Sequence, residues 1–309
     1  MEGNGKGSHG VESSHVPVLA DAVLQWLPRR AGGLYVDCTL GYGGHTERLL
    51  TELPQDARVI ALDQDQQALE SARRRLVRFG DRVTYVHGNF SRLTEHLRTV
   101  GVEQVDGIVM DLGVSSPQLD RAERGFSFGQ DGPLDMRMDQ SRDLTAADLV
   151  NRLPEAELAD VIYRYGEERL SRRIARAIVR VRAESPIRTT AQLVDVIRGA
   201  VPAAYRYGRI HCATRTFQAL RIAVNRELDV LTEALPQAAA ALAPGGRLAV
   251  ISFHSLEDRI VKHTFRAWSH ADGSAMRVLT KKPVEPTEEE CATNPRARSA
   301  KMRVVERVA

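Results

Sequence analysis

The sequence predicts an α/β fold, a parallel sheet interrupted after its fourth strand by a helical insertion, and three observations carry that prediction. Short apolar or β-branched runs alternate with helical periodicity between residues 34 and 112. The next strand-like run begins only at residue 247, far beyond what one crossover helix and two loops require. The interval itself carries several amphipathic helical patterns.

The elements follow in order. Residues 34–40 (LYVDCTL), 58–63 (RVIALD), 82–87 (RVTYVH) and 105–112 (VDGIVMDL) have the apolar character of buried parallel strands. Helices are expected over 45–53, with Leu49, Leu50 and Leu53 apolar, and over 66–79, where Leu69, Ala72 and Leu76 share a face and Gly80 ends the pattern. A third is expected over 91–100, on the spacing of Leu93, Leu97 and Val100. Residues 115–141, rich in Gly, Pro, Asp and Met without a period, read as a long ordered loop. Helices then follow over 155–165, 167–182 and 190–201, introduced by a capping box from Thr145 to Asp148. One long helix over 214–235 leads back to the fifth strand, 247–253 (RLAVISF), and residues 276–280 and 301–308 add closing antiparallel strands. The domains expected are a disordered leader (1–14), a sheet domain (15–117 and 211–309) and an inserted helical domain for substrate recognition (118–210).

Composition narrows the class of function. Hydrophobic residues make up 43% and charged residues 27%, and no apolar run approaches the roughly 20 residues of a membrane span. The leader lacks a secretory apolar stretch, so a cytoplasmic location is expected. Cys38, Cys212 and Cys291 stand far apart without a CxxC pair, which predicts reduced thiols and no metal site. The net charge of +3 is modest, but residues 166–188 hold seven Arg against three Glu. Arg206, Arg209, Arg215, Arg221 and Arg226 follow, and a basic tail runs from Arg296 to Arg307. Any one run could be a solvated helix face; together they suit a polyanionic partner.

The chemistry-bearing residues sit at strand ends, where open parallel sheets bind their ligands. The turn after the first strand reads Asp37-Cys38-Thr39-Leu40-Gly41-Tyr42-Gly43-Gly44-His45. Glycine there permits positive φ and close approach of backbone to ligand. The spacing is DxxxGxGG rather than the GxGxxG suited to a dinucleotide. Asp63 closes the second strand as an acceptor for ribose hydroxyls, which an adenosyl ligand and NAD share, and Asn89-Phe90 offers an amide and a ring to an adenine. After the fourth strand, Asp111 to Gln118 contains Ser116-Pro117, a partial echo of the motif with which amino-methyltransferases hold an exocyclic amine. Such an amine is a poor nucleophile, so acceptors that bond its hydrogens and aim it are valuable. Asp111 is the first candidate, with the Ser116 hydroxyl or a backbone carbonyl beside it; a carboxylate that only contacts the cofactor is the other reading of Asp111. Residues 252–258 (SFHSLED) lack a nucleophile elbow and do not indicate a hydrolase triad. His254 there is either a pocket donor or a helix cap.

Over residues 14–308 the chain closely resembles the bacterial small-subunit ribosomal RNA (cytosine-N4)-methyltransferase family, RsmH/MraW. The resemblance rests on HVPVL (15–19), DCTLGYGGHT (37–46), ALDQD (61–65), MDLGVSSPQLD (110–120), RGFSF (124–128) and GPLDMRMD (132–139). RIHCATRTFQALRIAVN (209–225), ISFHSLEDR (251–259) and NPRARSAKMRVVER (294–307) extend it. It implies a class I (Rossmann-like) methyltransferase domain with a helical insertion, S-adenosyl-L-methionine as cofactor, and a decoding-centre cytidine of small-subunit rRNA as substrate. By the same resemblance Gly43, Gly44, His45, Asp63, Phe90, Asp111 and Gln118 contact the cofactor. A homodimer stays open. The residues read without the resemblance leave three further functions standing: a DNA amino-methyltransferase, a non-catalytic adenosyl-binding RNA chaperone, and, more distantly, an NAD dehydrogenase.

Overall fold

The structure, a computed structural model, describes residues 17–270 and 275–308; the expected leader lies outside the described residues. α1 (Ala20–Trp26) precedes β1 (Leu34–Asp37), and α2 (Gly44–Glu52), β2 (Arg58–Asp63), α3 (Gln66–Arg75), β3 (Val83–His87), α4 (Leu93–Thr99) and β4 (Val105–Asp111) follow in strict alternation. Between β4 and the next strand lie α5 (Ser116–Asp120), α6 (Ala146–Arg152), α7 (Glu155–Gly166), α8 (Ser171–Glu184), α9 (Thr190–Ala200), α10 (Ala203–Arg206), α11 (Thr214–Asn225) and α12 (Glu227–Ala241). The chain closes with β5 (Leu242–Ser252), α13 (Ser255–His270), β6 (Met276–Val278), α14 (Glu288–Thr293) and β7 (Lys301–Arg307). Among the described residues no helix is long and apolar enough to cross a membrane.

The strands form one sheet in the order β3-β2-β1-β4-β5-β7-β6, with β7 alone running against its neighbours. This is the Rossmann-like α/β architecture expected, including the antiparallel closing strands. Successive strand residues face opposite ways, so one strand feeds two cores. Tyr35, Val109, Ile251 and Val304 pack with α1 and α2, while Val36, Ile108, Met110, Val250 and Val305 pack with α4, α12 and α13. Burial on both faces is why these strands read as continuous apolar runs.

The insertion has a core of its own, built from α6 to α11 and including Leu134, Met136, Ile162, Ile174, Ile178 and Leu193. Several expectations change here. The expected helix over 214–235 is two helices, because Arg226 adopts the left-handed conformation (φ 53°, ψ 36°) and breaks the run. α11 sends Phe217, Leu220 and Val224 into the insertion's core, whereas α12 sends Leu231 and Leu235 to the sheet. Packing passes from the insertion's core to the sheet's core at Arg226. The expected loop over 115–141 contains the short helix α5, and the helix expected over 167–182 begins only at Ser171.

Candidate functional site

The first wall of the site is the turn after β1. Asp37 is fully buried, with one carboxylate oxygen accepting from the Thr39 N–H (3.1 Å) and the other from the Thr46 hydroxyl (2.8 Å). Burial pushes its pKa up. Gly41 and Gly43 both lie at positive φ, which favours glycine, and a Cβ on Gly43 would also crowd the Leu76 side chain at 3.0 Å. The turn delivers His45 to the start of α2, where Nε2 lies 3.4 Å from Oδ2 of Asp111. Asp111 is in turn fixed by its own N–H, which donates to the Thr39 hydroxyl (2.7 Å). Burial works against a charge on His45, but Asp111, with Asp37 behind it, outweighs that and raises its pKa.

The second wall comes from β2 and β3. Asp63 accepts from the N–H groups of Gly41 (2.7 Å) and Asp65 (2.8 Å). Burial nonetheless pushes its pKa up to about 6. Each of its oxygens keeps a lone pair for a further donor. The Asn89 amide donates to Gln64 Oε1 (2.6 Å) while its oxygen caps Ser91 (2.9 Å), so this amide braces the wall beside Phe90. The third wall is Gln118, backed by a buried ion pair that does not itself line the site: Arg124 donates to Asp65 at 2.8 Å with both side chains under 5% exposed. The Gln118 amide also donates to Asp65 (2.9 Å), and its oxygen accepts from the Ser115 N–H (3.0 Å).

These walls enclose a cavity of about 790 Å³, the size of a cofactor pocket. Of the seven residues expected at the cofactor, Gly44, His45, Asp63, Phe90, Asp111 and Gln118 line it; Gly43 lies behind the wall. The side chain of Ser116 lies outside the described residues.

The far end of the cavity is lined by Gly113, Asn225, Glu227, Phe253 and Glu257. Behind it, Arg221 is bidentate on Glu227 (2.9 Å twice), and His254 Nε2 lies 3.2 Å from Glu257. Burial raises the pKa of Glu227 despite Arg221. For Glu257 burial is the larger single influence, but His254, Arg221 and the Phe253 N–H together hold its pKa below the usual range. Glu227, His254 and Glu257 have metal-ligand spacing, yet the guanidinium already supplies the positive charge. His254 also serves as the helix cap anticipated for it, its Nδ1 accepting from the Glu257 N–H (3.4 Å).

One polar atom bears directly on the chemistry. Asp111 Oδ1 is buried without a hydrogen-bond partner, a costly state unless a ligand completes it, while His45 Nε2 faces only the other oxygen of that carboxylate. Sequence reasoning assigned no role to Gln64, Asp65, Arg124, Glu227 or Glu257. Gln64, Asp65, Arg124 and Glu257 do fall inside the motifs ALDQD, RGFSF and ISFHSLEDR, which was the available signal.

Comparison with known proteins identifies the family. The family described as the MraW methylase family matches residues 12–308. A Geobacter protein named ribosomal RNA small subunit methyltransferase H is 53% identical, covering 95% of this chain and 98% of that protein. Its namesake in Synechococcus elongatus is 54% identical over 95% of each. Among solved structures, an rRNA methylase of Streptococcus thermophilus aligns over 94% of each chain with a TM-score of 0.44 and 13% identity. With its sheet order, its cavity at the strand ends and a family match over nearly its whole length, the chain belongs to the MraW methylase family.

Proposed function

We propose that this protein methylates the exocyclic N4 amine of a decoding-centre cytidine in small-subunit ribosomal RNA, acting in the cytoplasm. The methyl donor is S-adenosyl-L-methionine, whose sulfonium supplies an electrophilic methyl group when bound. The cavity fits it: Asp63 has lone pairs free for both ribose hydroxyls, Phe90 offers a ring to the adenine, and the glycine turn leaves room for backbone approach. The names of the curated relatives support ribosomal RNA as substrate. The observation that carries the reaction is the unpartnered Oδ1 of Asp111 at the end of β4. That oxygen accepts an N4–H bond and aims the nitrogen lone pair. On methyl transfer the same oxygen would take up the N4 proton that its hydrogen bond already positions. His45 holds the other carboxylate oxygen in place.

The test is label transfer from methyl-labelled cofactor to small ribosomal subunits. Asp111→Ala should lower kcat about 10²-fold or more, the scale of a lost transition-state contact, with cofactor affinity nearly retained. Unchanged kcat would remove Asp111 from the mechanism. Label appearing only in duplex DNA would overturn the substrate.

A further inference from the structure

A second cleft, of about 730 Å³, opens between the insertion and the start of α13 and plays no part in the reaction above. Four arginines line it, Arg164, Arg169, Arg215 and Arg259, with Tyr163 and Tyr205 among them. Glu167 is the one acid in its lining, and that acid is already committed inside the protein. Its carboxylate accepts from the Ser255 hydroxyl (2.6 Å) and lies 3.1 Å from Arg259, while its carbonyl accepts from Arg215 (2.9 Å). Arg164 and Arg169 are exposed and, among the described residues, have no acid partner. Tyr163 stands beside them 59% exposed, one of the few large aromatic faces left open to solvent.

The cleft and the cavity have consecutive residues of α13 in their linings. Leu256 lines the first and Glu257 the second, and neighbouring Cα atoms are only about 3.8 Å apart. A base presented to Asp111 must leave any stack it belongs to, so the nucleotides next to it are also unpaired and accessible. Unpaired cations interleaved with an open aromatic ring are what a single strand of nucleic acid requires.

Resting on the RNA-methylation reading above, we propose that this cleft binds the single-stranded ribonucleotide segment flanking the target base, with phosphates on Arg164 and Arg169 and a base stacked on Tyr163. The concave shape and the free cations favour a flexible strand over a duplex.

Anisotropy with a fluorescent single-stranded oligoribonucleotide of about ten nucleotides tests this directly. The Arg164→Ala/Arg169→Ala double variant should bind at least tenfold more weakly and show a flatter salt dependence, by roughly the contribution of two phosphates. Tyr163→Ala should lose about fivefold or more, with Tyr163→Trp retaining affinity. Unchanged affinity in the double variant, or a duplex of equal length competing as well as the single strand, overturns the proposal. In turnover on small ribosomal subunits the double variant should raise KM while kcat and cofactor affinity hold; a fall in kcat with KM intact would also overturn it. If the wild type binds the oligoribonucleotide through these residues yet methylates no subunit, the reaction assigned above fails and the cleft stands.

Discussion

The two ends of the cavity are built differently. The cofactor end is assembled from the ends of β1, β2, β3 and β4, and its key contacts run between a carboxylate and nearby backbone, as where Asp63 takes the Gly41 and Asp65 N–H groups. The far end joins residues remote in sequence, Gly113, Asn225, Glu227 and Glu257, and rests on side-chain ion pairs such as Arg221 with Glu227. One end is mostly a product of strand topology, closed on one side by the loop that carries Gln118 and Arg124. The other exists only once the insertion has docked. Substitutions should therefore separate cofactor binding from substrate turnover.

The largest effect is expected where the insertion's loop closes the cofactor end. Arg124→Ala strands the buried Asp65 carboxylate and should cost about 3–5 kcal/mol, read by urea denaturation, with loss of cofactor binding. A loss under about 1 kcal/mol would show that this pair does not hold the two regions together. At the far end, Arg221→Met leaves Glu227 and Glu257 without their shared cation; because Arg221 keeps some solvent access, about 2 kcal/mol is expected. Here methyl transfer should fall while calorimetric cofactor affinity stays near that of the wild type. Equal loss of both would erase the distinction between the ends.

The smallest effect is a pH dependence. Asp63 titrates at about 6, and hydroxyl donors favour its ionised form, so cofactor affinity should rise by up to about tenfold from pH 5 to pH 7 and level off above. Asp63→Asn should flatten that profile and weaken binding about tenfold. A wild-type profile already flat over this range would mean that Asp63 does not meet the ligand. For folding the sign is reversed at this residue: the native state holds the proton more tightly than the unfolded chain, so protonation near pH 5 favours the fold.

The contrast also explains what could be read in advance. Strands buried on both faces announce themselves by composition, and β2 was legible to the residue. The turn at Gly41 and Asp63 follows from local chemistry. The break at Arg226 was hidden because the apolar period continues through it from Val224 to Leu231, with only the packing partner changing. α13 was foreseen only as a helix for His254 to cap, not in its extent, since its pattern follows a motif noticed for its polar residues. The pair of Asp65 and Arg124 depends on a contact across 59 positions, which no local window contains.

The sheet order also has a consequence for how the chain is made. β4 and β5 are hydrogen-bonded neighbours, yet the whole insertion is translated between them. At about 5–20 residues per second, the ribosome takes on the order of ten seconds to supply the partner of β4. Throughout that interval an apolar strand waits with an unpaired edge, the condition that invites misassociation of nascent chains. The insertion, with a hydrophobic core of its own, can fold as a unit within that interval, which shortens the span that stays unfolded before β5 emerges.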